Sequence, residues 1–474
     1  MPDHNDSKKL TDTRVSVVGA GLVGSLLAIF LARRGMQVTV FERRPDMRKH
    51  TISAGRSINL NITLRGLRAL ERAGLKEEIL QQSIPMMGRL MHSRTGELTF
   101  QPYGRNESEF GNSVSRAELN KTLMTAAERA GSVEIRFEKR ITGIDVDRTM
   151  IRITDESTGE ATNESFDLVI GTDGSASAVR EDMMTLSGYD CRQSYLDYGY
   201  KELAIAPDTG GGFKMEKNAL HIWPRGMYML IALPNFDGSF TCTLFLPYKG
   251  DISFEQLQTK EDVEQFFQRD FNDTVPLMDS LIETFFGNPT GSMVTVKCHP
   301  WHYQGKVLLV GDAAHAIVPF FGQGANCGFE DLTVFDELLT KYESNGAVSW
   351  SKLFADFTQM RKEHADAIAD MAFENFIEMR DKVGKAEFLL AKSVEKILER
   401  EFPHDFASRY SLVTFTHTPY KLCKDAGIII DAIVEELCRG ISKADEVDLR
   451  RAEKLINEKL RPVLQGKVRE AQPV

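Results

Sequence analysis

The stretch RVSVVGAGLVGSLLAIFLARRGMQVTVFE, residues 14–42, decides the fold class of this chain. It opens with a predicted buried strand over 14–18, continues with a predicted helix over 22–34 and ends with a second predicted strand over 37–41. A β-α-β unit of this length, with a short turn at each end, is the building block of a parallel sheet covered by helices. The stretch therefore predicts an α/β domain.

A glycine motif occupies the turn between the first strand and the helix. Gly19, Gly21 and Gly24 form GxGxxG, with Leu22 and Val23 between the last two glycines. The first glycine permits a tight turn, the second lets a pyrophosphate approach the backbone, and the third lets the helix pack closely on the strand. The helix N-terminus adds N–H groups and partial positive charge for phosphates. The motif predicts a Rossmann-like dinucleotide site.

A carboxylate ends the second strand, because Glu42 follows Gly24 by 18 residues. A carboxylate at this position can accept both hydroxyl protons of an adenosine ribose, and it disfavours a 2′-phosphate. The pattern indicates FAD or NAD rather than NADP at this site. The adjacent Arg43 and Arg44 keep the 2′-phosphate alternative open.

Composition limits the class of protein. The chain has 474 residues, 42% hydrophobic and 27% charged, with 58 Lys and Arg against 68 Asp and Glu for a formal charge of −10. These values are typical of a globular protein and disfavour bulk nucleic-acid binding. The six cysteines form no CxxC and no metal-ligand spacing with histidine, so we expect reduced thiols, no bound metal and a cytoplasmic location. The glycines within the uncharged run 15–32 favour a β-α-β unit over a transmembrane anchor.

Two later segments repeat the pattern of a strand followed by a carboxylate. Asp173-Gly174 follows a predicted strand near residue 170, and Gly311-Asp312 follows another over 306–310. A carboxylate at a strand end can hold a ribityl hydroxyl, and the glycine-rich PFFGQGAN, residues 319–326, opens a helix whose N–H groups can face a flavin. Together the segments favour FAD over NAD.

In this order the motifs resemble those of the single-component, FAD-dependent aromatic hydroxylases. That resemblance implies one Rossmann-like FAD-binding domain, a β-rich substrate domain and a nicotinamide cofactor that binds only transiently. It fits a chain with one convincing GxGxxG. Two other classes of function stay open at this point: a hydroxylase of phenolic acids with the same fold, and a flavin-dependent hydride-transfer reductase.

A second set of motifs resembles the branch of that family that hydroxylates L-kynurenine. The motifs run through most of the chain: GRSINL (55–60), QPYGR (101–105), GYKEL (199–203), ALHIWPRG (219–226), FENFIEM (373–379) and RYSLVTF (409–415). The resemblance implies that NADPH and O₂ are consumed and that 3-hydroxy-L-kynurenine forms, through a flavin C4a-hydroperoxide, in tryptophan degradation. The ring amine already activates the attacked carbon, so no catalytic protein base is expected.

The resemblance also assigns substrate contacts to particular residues. Arg89 is the expected partner of the substrate carboxylate, because a guanidinium binds a carboxylate bidentately. Tyr103 and Tyr410 are the expected hydroxyl donors to the same group, and Asn375 the expected amide near the amino-acid head. The expected walls of the pocket around the aromatic ring are Phe245, Ile231, Leu233 and Phe320.

The predicted FAD contacts come partly from the strand-end patterns and partly from the resemblance. They are Gly19, Gly21, Leu22, Val23, Gly24, Glu42, Arg43, Arg56, Arg116, Asp173, Asp312, Pro319, Gly322, Gly324, Ala325 and Asn326.

The predicted fold class is α/β with three parts. Residues 1–75, 100–185 and 295–345 form the expected FAD-binding domain, residues 76–99 and 186–294 the β-rich substrate domain, and residues 346–474 a C-terminal helical region. The role of residues 420–474 and the oligomeric state, a homodimer included, stay open.

Overall fold

The computed structural model describes residues 8–49, 59–381 and 385–468. The chain forms two compact units, each assembled from three separate segments. The first unit contains residues 1–83, 114–196 and 292–369, and the second contains residues 84–113, 197–291 and 370–474. The three-part division expected from the sequence stays a prediction.

A six-stranded sheet lies at the centre of the first unit. Its strands, in spatial order, are His302–Tyr303, Val307–Leu309, Leu168–Gly171, Arg14–Val18, Gln37–Phe41 and Val133–Arg136, and all neighbours are parallel except the first pair. The central strands are wholly or almost wholly buried, as expected when helices cover both faces. The carboxyl ends of the five parallel strands therefore lie along one edge.

The remaining elements of the first unit surround this sheet. Its helices are Leu22–Arg33, Leu64–Arg72, Lys76–Gln81, Arg116–Arg129, Ala178–Met183, Asp312–His315, Gly324–Tyr342 and the first part of Trp350–Asp381. Its other strands are Leu60–Ile62, the meander Lys139–Asp145, Met150–Asp155 and Ala161–Ser165, the strand Gly291–His299 except its first residue, and the pair Glu343–Ser344 and Ala347–Val348.

The second unit is built on a long mixed sheet. Its order within this unit is Asp190–Ile205 from Asp197 onward, Phe240–Pro247, Met229–Pro234, Ala219–Pro224, Gly88–His92 and Leu98–Pro102. Two short strands, Ile84–Met86 and Gly111–Val114, pair antiparallel with each other and flank the last two strands of this sheet in the sequence. One face of the long sheet packs on a core of aromatic and aliphatic side chains that includes Trp223, Phe240 and Phe267.

The helices of the second unit fall into two groups. Lys260–Asp270 and Leu281–Gly287 lie within the β-rich part of the sequence, and the C-terminal group comprises the end of Trp350–Asp381, then Ala386–Glu401, Arg409–Phe415, Tyr420–Cys438, Leu449–Leu455 and Arg461–Val468. Within the described ranges, every helix is too short or too polar to cross a lipid bilayer.

The predicted fold class is confirmed, with two local differences from the sequence-based prediction. The amphipathic pattern of residues 63–82 is typical of one continuous helix, but the structure divides it in two at Gly74, which has a left-handed φ of 68° and ends the first helix. The segment 186–294, predicted to be β-rich, also contains the helix Lys260–Asp270, which Thr259 and Asp262 begin with a capping box.

Candidate active site

The three glycines of the first turn have different surroundings. Gly19 has a φ of 99°, and a Cβ there would lie 2.9 Å from the Thr172 carbonyl oxygen. A Cβ on Gly24 would lie 2.0 Å from the carbonyl oxygen of Gly19, whereas a Cβ on Gly21 would meet no atom within 4 Å. Gly19 and Gly24 therefore serve the packing of strand on helix, and the open space beside Gly21 suits the approach of a phosphate.

Glu42 is fixed at the end of its strand by the turn it faces. Glu42 as a whole is only 4% exposed, and its carboxylate accepts the Ala20 backbone N–H at 3.1 Å and pairs with Arg44 Nε at 2.8 Å. Arg43 is exposed. Asn120, which sequence reasoning missed, donates from Nδ2 to the Ala20 carbonyl at 3.1 Å and so supports the same turn from the helix Arg116–Arg129.

Asp173 has one occupied and one free carboxylate oxygen. Its Oδ2 accepts the Ala178 N–H at 2.8 Å, while its Oδ1 is buried and has no partner among the described residues. Burial raises the pKa of this carboxyl. Arg180 connects this segment to the next motif, because its guanidinium donates to the Ala313 carbonyl at 2.8 Å and to the Ser175 carbonyl.

Asp312 begins the short helix that follows the strand Val307–Leu309. Its side chain is solvent-accessible, yet the surrounding protein displaces enough water to raise the pKa of the carboxyl, and the positive charge of Arg116 opposes that shift. Arg116, itself exposed, is therefore close enough to influence Asp312, as a shared ligand site requires.

The loop 319–326 is held by Asn326 rather than left open. This side chain is wholly buried; its Oδ1 accepts the Thr63 N–H at 2.9 Å and its Nδ2 donates to the carbonyls of Asn61 and Gly322. Pro319, Gly322, Gly324 and Ala325 are half-buried, and Gly322 has a left-handed φ of 66°. Asn326 thus fixes the loop, and the helix N-terminus at Gly324 offers N–H groups to a ligand.

Sequence reasoning also missed a buried ionic network behind the Gly311-Asp312 turn. His315 Nε2 lies 2.5 Å from Asp331 Oδ2, Arg361 Nε lies 2.7 Å from Asp331 Oδ1, and Glu330 bridges Arg361 to Arg65. Three possible metal ligands, of His315, Cys327 and Asp331, lie within 4.8 Å of one another. Arg361 is 3.6 Å from Cys327 Sγ and pairs with the Asp331 carboxylate, which opposes a cation there.

This network predicts how stability depends on pH. Although burial opposes its charge, the Asp331 carboxylate raises the pKa of His315 well above 6.5. The pair then stabilises the folded state fully below pH 6.5, and its contribution is lost as pH rises through the higher folded pKa. We expect His315→Gln to lower the free energy of unfolding by about 3 kcal/mol at pH 6. Thermal unfolding at a series of pH values should show this difference shrinking on the alkaline side; a constant difference would contradict it.

The first unit therefore fits the dinucleotide part and ribityl chain of FAD. Four features that suit FAD follow the ends of parallel strands. They are the open space beside Gly21, the carboxylate of Glu42, the unpaired Oδ1 of Asp173 and the accessible carboxylate of Asp312. Leu22 is buried. The Val23 side chain lies against Gly311, because a Cβ added at Gly311 would be only 3.0 Å from it, so the turn after the first strand contacts the turn before Asp312. The predicted contact Arg56 lies outside the described residues.

In the second unit, Arg89 lies against two tyrosine rings. Its guanidinium carbon is 5.4 Å from the ring centroid of Tyr103 and 4.9 Å from that of Tyr410. The two rings stack with centroids 5.6 Å apart and planes 16° apart. The structure thus brings together three residues that are up to 321 positions apart in the sequence.

The charge of Arg89 is not neutralised by an acid of the described chain. Among the described residues, its buried Nε has no hydrogen-bond partner and no carboxylate forms an ion pair with its guanidinium. Burial opposes its charge, but the two neighbouring phenols still raise its pKa, so the guanidinium stays protonated. Burial raises the pKa of both tyrosines, which keeps their hydroxyl protons available for donation. This set suits the carboxylate of a small molecule.

Strand alternation places the expected ring contacts on the same face of the sheet as Arg89. Arg89 pairs with Leu220, and Leu220 packs with Ile231 and Leu233 beside Tyr103 and Tyr410. Phe245 continues this face on the next strand, two residues beyond Thr243, which pairs with Ile231. Thr243, missed by sequence reasoning, is wholly buried and its hydroxyl has no partner among the described residues. The alternation Thr241, Thr243, Phe245 was the signal for it.

The other two expected substrate contacts, Asn375 and Phe320, lie on elements outside this sheet. Asn375 is half-buried in the helix Trp350–Asp381, and its Nδ2 lies 3.7 Å from Met379 Sδ in the same helix. Phe320 is half-buried in the 3₁₀ turn Pro319–Phe321 of the first unit.

Glu399, which sequence reasoning missed, holds the helix that carries Tyr410. Its buried carboxylate accepts the Ser408 backbone N–H at 2.8 Å and the Ser411 hydroxyl at 2.6 Å. Arg409 ties the same helix to Asp431, on Tyr420–Cys438. The residues beyond 420 thus support the segment that presents Tyr410.

We expect Glu399→Ala to loosen this helix. Two buried donors would lose their acceptor, which costs about 2–4 kcal/mol in total. The melting temperature should fall, and the concentration of substrate needed for half-maximal rate should rise several-fold. Glu399→Gln keeps an acceptor oxygen and should stay close to the wild type; equal losses in both variants would contradict this role.

A family model and individual proteins match most of this chain. Residues 12–372 match the family model described as "FAD binding domain". Kynurenine 3-monooxygenase of Myxococcus xanthus is 55% identical over 450 residues, 95% of this chain and 96% of that protein. Kynurenine 3-monooxygenase of Dictyostelium discoideum is 43% identical over 95% of this chain and 99% of its own length.

Solved structures of more distant proteins share the fold. 2-Methyl-3-hydroxypyridine-5-carboxylic acid oxygenase superposes with a TM-score of 0.63 at 20% identity, covering 81% of this chain and 97% of that one. The tetracycline destructase Tet(51) gives a TM-score of 0.60 at 18% identity, covering 86% and 99%.

Proposed function

The chain belongs to the kynurenine 3-monooxygenases, FAD-dependent aromatic hydroxylases, and we propose that it uses NADPH and O₂ to convert L-kynurenine into 3-hydroxy-L-kynurenine. The observation that carries this proposal is the guanidinium of Arg89, protonated, flanked by the phenols of Tyr103 and Tyr410 and unpaired with any described carboxylate. Such a group suits the carboxylate of an amino acid with an aromatic side chain.

The residues of the chain divide the work between the two units. Gly21, Glu42, Asp173 and Asp312 hold FAD through its phosphates and hydroxyl groups. Bound FAD supplies the redox chemistry that links NADPH oxidation to the activation of O₂.

The second unit positions the substrate. Arg89 and the hydroxyls of Tyr103 and Tyr410 bind the α-carboxylate, Asn375 the neighbouring amino-acid head, and the apolar face with Ile231, Leu233 and Phe245 the flat ring. The apolar face also excludes water from the reacting carbon. The ring amine activates that carbon, so the protein contributes orientation rather than a general base.

The test is NADPH oxidation by the FAD-loaded protein with and without L-kynurenine, together with mass analysis of the product. We expect strong stimulation and a product heavier by one oxygen atom. Stimulation without the heavier product would make L-kynurenine an effector only. Stimulation by a phenolic acid instead would favour the phenol hydroxylase alternative, and hydride transfer without O₂ consumption would favour a reductase.

The cellular compartment and the route of oxygen insertion rest on different grounds. All six cysteines are free in the structure, which supports the proposed cytoplasmic location. The route of oxygen insertion inferred from the resemblance stays a prediction.

A further inference from the structure

A row of hydrogen-bonded groups in the second unit lies outside the site described above. Asp273 Oδ2 is 3.0 Å from His92 Nδ1, His92 Nε2 is 2.8 Å from His221 Nδ1, and His221 Nε2 is 2.7 Å from the carbonyl oxygen of Glu216. His92 is 6% exposed and His221 only 1%. Three contacts therefore join two buried imidazoles to two oxygen atoms.

The number of protons in this row follows from the atoms at its ends. A carbonyl oxygen can only accept, and Asp273 Oδ2 already accepts the Trp223 indole N–H at 2.8 Å. Three contacts between these acceptors and two rings need three N–H protons: one on His221 Nε2, one between the rings and one on His92 Nδ1. Two neutral imidazoles carry only two. The complete row therefore holds one additional proton, and its net charge with the Asp273 carboxylate is zero.

The additional proton belongs on His92. Burial lowers the pKa of His221 to about 4, so His221 is neutral near pH 7. Although burial opposes it, hydrogen bonds from His92 and Trp223 lower the pKa of Asp273, so this carboxyl is ionised. With His221 neutral and Asp273 ionised, the three contacts of the row place the additional proton on His92 Nδ1, where it points to Asp273 Oδ2.

This row fixes the end of the strand that carries Arg89. His92 is the last residue of Gly88–His92, and its ring stacks on Trp223 with centroids 4.0 Å apart. In the parallel pairing with the next strand, His221 lies opposite Leu90 and Leu220 lies opposite Arg89. Because side chains alternate, His92 and His221 point to one face of the sheet and Arg89 to the other. The row thus ties both strands together directly behind Arg89.

We propose that His92, His221 and Asp273 form a proton-dependent clamp that positions Arg89 for the substrate carboxylate. The three residues touch neither substrate nor FAD in this scheme, so they are positioning residues. The inference rests on the proposed function for the identity of the carboxylate, but the proton count stands without it.

Other charged groups face the clamp from each neighbouring element. Arg225 donates to the His92 carbonyl at 3.0 Å, Asp270 pairs with Arg94 at 2.8 Å near Arg225, and the Glu216 carboxylate acts on His221. Below about pH 4 His221 would take a second proton, whose N–H would oppose the N–H of His92, so the clamp is complete only above this pH. On the alkaline side the clamp breaks when the additional proton leaves.

The first test is Asp273→Asn in the FAD-loaded enzyme. The amide keeps an acceptor oxygen but no charge, so the row loses its additional proton and one contact. We expect the KM for L-kynurenine to rise about tenfold at pH 7 while kcat stays within about twofold. Asp279→Asn is the matched control, because Asp279 is exposed in the same unit and forms its ion pair with Lys214. An unchanged KM in Asp273→Asn would overturn the positioning role.

The second test counts protons without turnover. In protein with ¹⁵N-labelled histidine, the nitrogen signals that disappear in His92→Asn should come from an imidazole that is protonated on both nitrogens at pH 7, and the separate signals of charged His315 should remain. In the wild type, KM should rise at alkaline pH in step with the loss of that second proton. Two singly protonated rings at pH 7 would overturn the clamp. Absence of L-kynurenine turnover in the wild type would instead refute the proposed function and leave the proton count to be judged by these signals.

Discussion

Arg89→Ala is expected to lower kcat/KM for L-kynurenine roughly 100- to 1000-fold while the enzyme stays yellow with bound FAD. Removing one partner of a buried, charge-assisted carboxylate contact costs about 3–4 kcal/mol, which corresponds to this factor. Most of the loss should appear in KM, because the guanidinium binds the amino-acid head and not the reacting carbon. The measurement is steady-state NADPH oxidation, with flavin absorbance as the check on FAD content.

Two controls make this result specific. Arg439→Ala removes an exposed arginine of the same unit, paired with Glu435, and should leave kinetics unchanged. The methyl ester of L-kynurenine lacks the carboxylate charge, so the wild type should bind it poorly and Arg89→Ala should hardly distinguish acid from ester. If the variant still preferred the acid strongly, Arg89 would not be the carboxylate partner.

Gly24→Ala is expected to abolish a stable FAD-loaded protein. Its Cβ would lie 2.0 Å from the Gly19 carbonyl oxygen and 2.5 Å from Thr172 Oγ1, and the first of these is backbone that cannot move aside. Overpacking of this kind costs about 3 kcal/mol or more. We expect little yellow protein and a melting temperature lowered by several degrees.

Gly21→Ala is the matched change in the same motif. Gly21 has a φ of −73°, which alanine adopts freely, and its Cβ would meet no protein atom within 4 Å. The apoprotein should therefore melt like the wild type, while FAD binds roughly tenfold or more weakly because the methyl group occupies the room for the pyrophosphate. Equal stability losses in both variants would show that the two glycines do not have separate roles.

Local patterns carried the prediction of the fold. The β-α-β unit over 14–42 was predicted because each of its elements is set by a short run of residues and by glycines that the turn requires. The helix Lys260–Asp270 was missed although Thr259 and Asp262 carry its capping signal. Its sequence is highly charged, and the apolar residues that bury one face were not recognised as helical.

The residue types of the site could be predicted from the sequence, but the contacts that hold these residues in place could not. Arg89, Tyr103 and Tyr410 were named from a resemblance, and their roles in binding stay predictions; their proximity is a result of the structure. Nothing in the sequence near Tyr410 indicates that Glu399 holds its helix.

The sequence by itself determined an FAD-type fold, because strand, turn and helix signals act within windows of a few residues, and steric limits on glycine apply wherever the chain makes the same turn. Only the tertiary structure decided which buried polar groups meet. His92, His221 and Asp273 become one row because strand register and packing bring distant residues to the same face of a sheet. Those long-range pairings depend on the whole core, and a buried polar group must find its partner there or lose the hydrogen bond it had with water.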